Sequence, residues 1–260
     1  AWVAGGPEGC PEGYSPVVGE CLEASLEGPL GYRMQLIPAG AFFVGSPPTE
    51  VGRWDDEEQR QVSVPMAFYL GEIEVTQEMW REVMGENPSH FRGATRPVEQ
   101  ISWLDAVRFA NRLSELEGLI PCYVIQGEEV SWPEGAACGG FRLPTEVEWE
   151  YAARAGSPAP VAAPGELREG AWYRDNARGR TRPVGELAPN GNGLYDMSGN
   201  VWEWVWETYE PGGGAHTELR VCKGGAWDSG EAGVRIAHRG VSLPTSQRNY
   251  LGLRLAITAR

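Results

Sequence analysis

The sequence predicts one large α+β domain that is loop-rich, with few helices and short strands. Its 260 residues include 35 Gly and 20 Pro, which is more helix-breaking residues than a helical bundle accommodates. Three segments have helical periodicity behind a capping residue, and the strand-like runs are short and interrupted by Gly or Pro. A chain of this length is long enough to bury a sizeable core.

The predicted elements follow in chain order. The strand-like runs MQLIPAGAFFVGS and VSVPMAFYLGEIEV flank an acidic loop. Thr76 is predicted to cap a helix in TQEMWREVMG, and Ser102 a second helix in SWLDAVRFANRLSELEG. Thr145 and Glu148 form the capping-box pattern of a third helix. C-terminal to it we expect mostly loop, with short strands around TRPVGEL, LRVCKGGAW and LGLRLAIT.

Charge and hydropathy exclude two classes of partner. The chain has 36 acidic and 22 basic residues, a net charge of −14, whereas nucleic acid or an anionic membrane surface requires a basic face. No apolar run approaches the ~20 residues of a membrane span. The expected partner is therefore a protein, a glycan or another copy of the chain. The acidic run Asp55–Glu58 is interpreted as a solvated loop rather than a cation site.

Five cysteines indicate two local disulfides and one remaining thiol. Cys10 and Cys21 bracket a turn-rich stretch, and Cys122 and Cys138 bracket a predicted hairpin that contains a Trp. None shows the CxxC spacing of a zinc site. Cys222 is expected to be a buried thiol. The alternative is five reduced cysteines in a cytosolic protein.

The organisation of the chain suggests an extension and one main domain. Residues 1–31 are predicted to be a Cys-containing N-terminal extension, and residues 32–260 the main domain. The sequence begins at Ala1 without a Met or a basic, apolar leader, which is expected of a mature exported protein after signal-peptide removal. The predicted location is secreted, periplasmic or on the cell surface.

Two blocks carry a family resemblance: FRLPTEVEWEYAARAG (141–156) and GNGLYDMSGNVWEW (191–204). The chain resembles the formylglycine-generating enzyme family, also called the sulfatase-modifying factor domain. That resemblance implies a variant of the C-type lectin fold. Further matches, among them IPAGAFFVGS, EVTQEMW, NPSHF and LGLRLA, extend it over residues 34–256.

The resemblance also implies an oxidase chemistry whose residues are missing here. Catalytic members oxidise a substrate cysteine to formylglycine with two cysteines that bind copper after a strand similar to RGGSW. Here that block is KGGAWDSGEAGV, with Ser229 at the position of the first thiol and no cysteine from Lys223 to Arg260. A soft metal such as Cu(I) needs thiolate ligands. We therefore expect no copper and no catalytic residues.

A second catalytic branch of the family uses a cluster of iron-binding histidines from an added helical bundle. This chain contains His90, His216 and His238, scattered over loops, and no segment that could form the bundle. Neither oxidation known for the family fits the sequence.

The segment Asp196–Glu203 is the strongest remaining metal signal. Two carboxylates separated by Gly and Asn suit a tight loop that turns several oxygens towards Ca²⁺. The resemblance implies a structural calcium site formed by the side chains of Asp196 and Glu203 with the carbonyls of Gly199 and Val201. In the alternative, both carboxylates only cap loops. The resemblance implies a second calcium position at Asn176 and Ala177, but the loop that supplies its carboxylate is shorter here.

The resemblance implies that the C-terminal loop segment 227–250 lies on the face where catalytic relatives have their active site. It also resembles the variable proteins of diversity-generating retroelements, which bind ligands through diversified loops; Val241 and Ser242 would then be further contacts. The tryptophans of the family blocks could form a sugar-stacking surface, but core packing is the preferred interpretation. The predicted ligand-binding face consists of Trp227, Asp228, Ser229, Glu231, Arg235, His238 and Tyr250.

Together these features predict a non-catalytic exported protein that binds a partner or takes part in extracellular or surface assembly. The alternatives are an enzyme of the same family with unrecognised chemistry in the cleft, a variable ligand-binding protein and a structural subunit whose extension mediates contacts.

Overall fold

The computed structural model describes residues 10, 13–17, 20–162, 165–210 and 218–260. Most of the predicted extension before residue 13, and His216, lie outside these ranges. The three predicted helices are confirmed, each beginning after its predicted capping residue. The helices are α1 Gln77–Met84, α2 Trp103–Leu116, α3 Glu146–Arg154 and the short α4 Leu167–Gly170.

Side-chain caps explain where the helices begin. The Ser102 hydroxyl accepts from the Asp105 amide at 3.0 Å, and the Asp105 carboxylate accepts from the Ser102 amide. Thr145 and Glu148 form the same reciprocal pair at the start of α3. These bonds satisfy amides that have no partner within the helix.

Fourteen short strands lie in the described residues and form two four-stranded sheets and three two-stranded ones. One four-stranded sheet has the order β12-β11-β10-β13, in which β10 and β13 are parallel, and the other has the order β14-β7-β4-β3. The strands are β1 Tyr14–Val17, β2 Glu20–Glu23, β3 Ser25–Glu27, β4 Arg33–Ile37, β5 Gly40–Val44, β6 Arg60–Val64, β7 Phe68–Gly71, β8 Val124–Gln126, β9 Glu129–Ser131, β10 Trp202–Thr208, β11 Arg220–Lys223, β12 Gly240–Ser242, β13 Leu251–Leu253 and β14 Ala256–Thr258.

Three strand predictions need correction. The two N-terminal runs each split into a pair of strands, at Pro38 and Pro65, because proline has no amide to give to a ladder. The run TRPVGEL forms no strand; the Val184 amide donates to the Thr95 carbonyl of another loop instead. Strand β10, the longest in the described residues, begins in the GNVWEW block, for which we predicted no strand.

Side chains of the block RLPTEVEW connect elements that are distant in sequence. The guanidinium of Arg142 forms two hydrogen bonds, of 2.7 and 2.8 Å, with the Glu148 carboxylate that caps α3. Trp149 on α3 donates its indole N–H to Glu203 of β10 at 2.6 Å. Glu150 accepts from the Lys223 ammonium at 3.1 Å. Helix α3 is thereby fixed to β10 and β11, which carry the candidate site.

Tryptophans fill the core, as the preferred interpretation expects. Trp103, Trp149 and Trp204 are fully buried, while Trp202 and Trp227 are only half-buried. Trp204 donates to the Ile101 carbonyl at 3.1 Å, so its one polar atom is satisfied inside the core.

Both predicted disulfides are confirmed: Cys10 pairs with Cys21 and Cys122 with Cys138. The second closes the predicted hairpin, β8–β9. Strand β3, from the predicted extension, pairs with β4 of the main domain, so the end of the extension is part of a main sheet. Within the described ranges, no helix is long and apolar enough to cross a membrane.

Candidate functional site

A tight turn at residues 196–200 organises the site. Asp196, Gly199 and Asn200 have left-handed backbones, with φ of 56°, 94° and 58°. A Cβ at Gly199 would overlap the carbonyl of Trp172, so this position requires glycine. The Asn200 carbonyl accepts from the Trp227 amide at 2.9 Å. The turn therefore holds the start of the C-terminal loop segment in place.

Three buried carboxylates lie at this turn, and one of them, Glu203, pairs with the buried cation Arg254. Glu74, Asp196 and Glu203 are at most 3% exposed, and the fully buried Arg254 lies 2.7 Å from Glu203. Glu74 accepts from the Asn200 side-chain amide at 2.8 Å. Burial, followed by the charges of Asp196 and Glu203, raises the pKa of Glu74 well above its usual value. The cluster thus carries more potential negative charge than Arg254 neutralises.

The residues predicted to bind calcium fit that role unequally. Asp196 accepts from the Gly185 amide at 2.7 Å through one oxygen, while its other oxygen is buried without a hydrogen-bond partner in the described structure. Burial raises the pKa of Asp196 to about 6. A cation would satisfy that oxygen and favour the ionised carboxylate. Glu203, in contrast, already accepts from Arg254 and Trp149.

The donor set limits the kind of metal site that is possible. Among the described residues, no group of three or more His, Cys, Asp or Glu side chains is arranged to hold one metal ion. The ligands of a calcium ion here would therefore be the Asp196 carboxylate, backbone carbonyls and the Glu203 carboxylate, which also pairs with Arg254. Asn176, at the second family position, uses its side chain within its own loop: it accepts from the Tyr173 amide and donates to the Ala171 carbonyl.

The segment that follows β11 is held by partners on several other elements. Trp227 donates its indole N–H to the Asn249 carbonyl at 3.0 Å. The Ser229 hydroxyl accepts from the Ala226 amide at 3.0 Å. Arg174 donates from its side chain to the Asp228 carbonyl at 2.9 Å and from its amide to the Ser229 carbonyl at 3.0 Å. This loop is therefore fixed by hydrogen bonds rather than by a sheet.

An open pocket of about 360 Å³ lies beside this segment. Asp228, Ser229 and Tyr250 of the predicted face line it, together with Val241 and Ser242. Burial raises the pKa of Asp228 above its usual value. We call this the C-terminal pocket; its lining also includes Arg174, Trp202 and Cys222.

The remaining residues of the predicted face are placed differently. Arg235 is buried and binds the carboxylates of Glu57 and Glu50, at 2.6 Å each, so its guanidinium braces loops and is not presented to a ligand. His238 packs between the rings of Trp54 and Trp202. Glu231 is exposed and Trp227 half-buried, and neither lines the C-terminal pocket.

The site contains a single free thiol within the described ranges. Cys222 is buried and lines the C-terminal pocket, while the other four cysteines form disulfides. Burial raises the pKa of the Cys222 thiol far above its usual value, which keeps it neutral.

Sequence reasoning missed Arg174, Trp202 and Glu74. Glu74 lies in the block EVTQEMW, which was recognised only as a family match, and its role depends on a contact with Asn200 that is 126 residues away. Arg174 follows no motif that indicates a pocket. The half-buried Trp202 was assigned to the core, although it also lines the pocket.

Fold and site together define a loop-rich, lectin-like α+β scaffold that presents a pocket beside its C-terminal loop segment. The chain belongs to the sulfatase-modifying factor family, because the family model described as "Sulfatase-modifying factor enzyme 1-like domain" matches residues 27–259.

Relatives in this family have different described roles. The chain is 38% identical to "Chaperone protein LppX" of Paenibacillus barcinonensis over 66% of this chain and 74% of that protein. It is 32% identical to "Formylglycine-generating enzyme" of Streptomyces coelicolor over 75% of this chain and 65% of that protein. It is 37% identical to "Inactive C-alpha-formylglycine-generating enzyme 2" of Mus musculus over 50% of this chain and 48% of that protein.

A solved structure supports the same fold. "Treponema denticola variable protein 1" superposes with a TM-score of 0.79 at 32% identity, covering 90% of this chain and 98% of that one.

Proposed function

We propose that this chain is a non-catalytic, exported binding protein that recognises a partner through the C-terminal pocket and the loops around it. One observation carries the proposal: Ser229, which the family resemblance places at the first reactive thiol, lines a formed and accessible pocket. The scaffold thus has a pocket at this position without the thiols that catalytic relatives use to oxidise a cysteine.

The available thiols argue against copper chemistry. A Cu(I) site of the family type needs two thiolates, whereas Cys222 is a lone, neutral thiol inside the fold. The Ser229 hydroxyl is occupied locally, because it accepts from the Ala226 amide. Neither group provides a second soft ligand.

The pocket's size and chemistry favour a small part of a larger ligand. A pocket of about 360 Å³ lies at the low end of small-molecule sites, and this one is open and mixes Asp228, Ser229 and Ser242 with aromatic Tyr250. A projecting side chain of a protein or one sugar of a glycan suits such a surface. The names of two similar proteins, a chaperone and a variable protein, support a binding role.

Other functions stay open as alternatives: an enzyme with unrecognised chemistry in the same pocket, a variable ligand-binding protein or a structural subunit. Export is supported by two disulfides, which persist in oxidising compartments.

We further propose that Ca²⁺ stabilises the 196–203 loop, with Asp196 as the main side-chain ligand, the carbonyls of Gly199 and Val201, and Glu203 shared with Arg254. The unpaired, buried oxygen of Asp196 supports this proposal. Chelation should lower the melting temperature of the wild-type protein, and Asp196→Asn should remove that sensitivity. A melting temperature unchanged by chelator and by added calcium would contradict the site.

The non-catalytic proposal is tested by incubating the purified chain with copper, oxygen and a Cys-x-Pro-x-Arg peptide. We expect no aldehyde product by mass spectrometry, and aldehyde formation would refute the proposal.

The binding proposal is tested on glycan and peptide arrays with the wild type, Tyr250→Ala and the control Arg33→Gln. Arg33 lies on β4 and is 63% exposed. Ligands that Tyr250→Ala loses and Arg33→Gln retains support the C-terminal pocket. Ligands that both variants retain place binding elsewhere.

A further inference from the structure

Basic residues are concentrated in two loops of this acidic chain. Although the net charge is −14, residues 92–96 and 174–182 together contain six arginines and a single acidic residue, Asp175. The six are Arg92, Arg96, Arg174, Arg178, Arg180 and Arg182.

The fold brings the two loops together. The Val184 amide donates to the Thr95 carbonyl at 2.9 Å, and the Arg96 guanidinium donates to the Thr181 carbonyl. The Arg182 amide donates to the Asn200 side chain at 2.8 Å, which ties the second loop to the turn at 196–200. The loops are therefore held in position by the body of the domain.

Three of these arginines, Arg96, Arg180 and Arg182, form what we call the arginine patch. Burial, followed by the positive charges of Arg180 and Arg182, lowers the pKa of Arg96, which shows that the three charges lie close together. Compensation by acids is weak: Arg182 lies 3.9 Å from Glu186, and exposed Arg180 has no hydrogen-bond or ion-pair partner in the described part of the chain.

Buried hydrogen-bond donors without partners among the described residues lie beside the arginine patch. The Arg182 side chain stacks 4.7 Å from the ring centre of Trp172. The Trp172 indole N–H, the Thr181 hydroxyl and the Arg182 Nε–H are buried without a hydrogen-bond partner among the described residues. All three can donate to an acceptor-rich group or to water that it orders, and an unpaired buried donor is unfavourable.

We propose that the arginine patch is an anion-binding site for a phosphate or sulfate group. Mutually repelling guanidiniums favour a ligand of more than one negative charge, and arginine forks match the oxygens of these anions. A tetrahedral oxyanion offers three or four acceptor oxygens, whereas a carboxylate offers two. The arginine patch and the C-terminal pocket have no lining residue in common. The anion site therefore does not depend on the proposed function.

The bound phosphate or sulfate group has two potential sources: the free inorganic ion, and a monoester group on a larger ligand. The test uses isothermal titration and thermal shift with sodium phosphate, sodium sulfate and phenyl phosphate, at an ionic strength held constant with sodium chloride. Binding of the inorganic ions identifies the free anion as sufficient, and binding of phenyl phosphate alone identifies an ester ligand.

The decisive variant is Arg180→Gln, because Arg180 is exposed and its loss should leave the fold intact. Arg112→Gln on α2 is the matched control, since it removes the same charge from an exposed arginine. We expect binding to weaken about ten-fold in Arg180→Gln and to be unchanged in Arg112→Gln. Absence of binding by all three probes, or equal weakening in both variants, overturns the proposal.

Discussion

Replacing Glu99 with Gln should make the protein more stable at neutral and alkaline pH. The Glu99 carboxyl is fully buried; one oxygen accepts from the Phe91 amide at 2.7 Å, and the other has no partner among the described residues. Burial raises the pKa of Glu99 from 4.5 to about 7, although the hydrogen bond from the Phe91 amide opposes this. Gln keeps an acceptor for Phe91 and carries no charge.

The sign and size of the effect follow from proton linkage. Between pH 4.5 and about 7 the unfolded chain loses the Glu99 proton while the folded chain keeps it, so stability falls as pH rises through this window. At about 1.4 kcal/mol per pKa unit, the full loss above pH 7 is about 3 kcal/mol. Glu99→Gln should recover this amount at pH 8 and little of it at pH 4.5.

The assay is urea unfolding of both proteins at pH 4.5 and pH 8, followed by tryptophan fluorescence. Glu82→Gln is the control, because the Glu82 side chain is 56% exposed and its ion pair with Arg81 is long, at 3.8 Å. The control should shift the free energy of unfolding by less than about 0.5 kcal/mol at either pH. If Glu99→Gln is equally or more destabilising at pH 8 than at pH 4.5, the reasoning is refuted.

Two further predictions concern the scaffold. Gly199→Ala should destabilise the protein by more than about 2 kcal/mol, because its Cβ would overlap Trp172 in a left-handed backbone; Gly118→Ala, also left-handed but in open space, should cost about 1 kcal/mol in the same unfolding assay. Replacing Cys122 and Cys138 together by Ala should cost about 3 kcal/mol, since their bridge spans 16 residues, and an unchanged unfolding midpoint would contradict that.

Local signals in the sequence predicted the local structure well. The caps Ser102 and Thr145 work through side chains three residues away, so the sequence itself contains both partners. The hairpin between Cys122 and Cys138 is similarly local. Strand β10 was missed although the tryptophans of its run WEWVWET recur at every second residue, which is a strand pattern, because this block was interpreted only as a family match.

The site was only partly predictable because its partners are distant in the chain. Arg235 looked available for a ligand, yet its partner Glu57 lies 178 residues away. Asp196 and Glu203 were found through a family motif, but the third buried carboxylate, Glu74, and its charge have no local signature. Such pairings depend on tertiary packing that residue spacing does not encode.

The geometry around Ser229 explains how a scaffold of this family can be complete without reactive thiols. The segment after β11 is positioned by Lys223 on Glu150, by Trp227 on Asn249 and by the turn at 196–200, and none of these contacts involves a sulfur atom. Ser229 itself contributes a backbone-capping hydroxyl that a thiol would replace only with a weaker acceptor. The loop around residue 229 can therefore keep its structure whether or not a reactive thiol is present there. It follows that Ser229→Cys alone should fold with little loss of stability and still form no copper oxidase, because the second thiolate is missing.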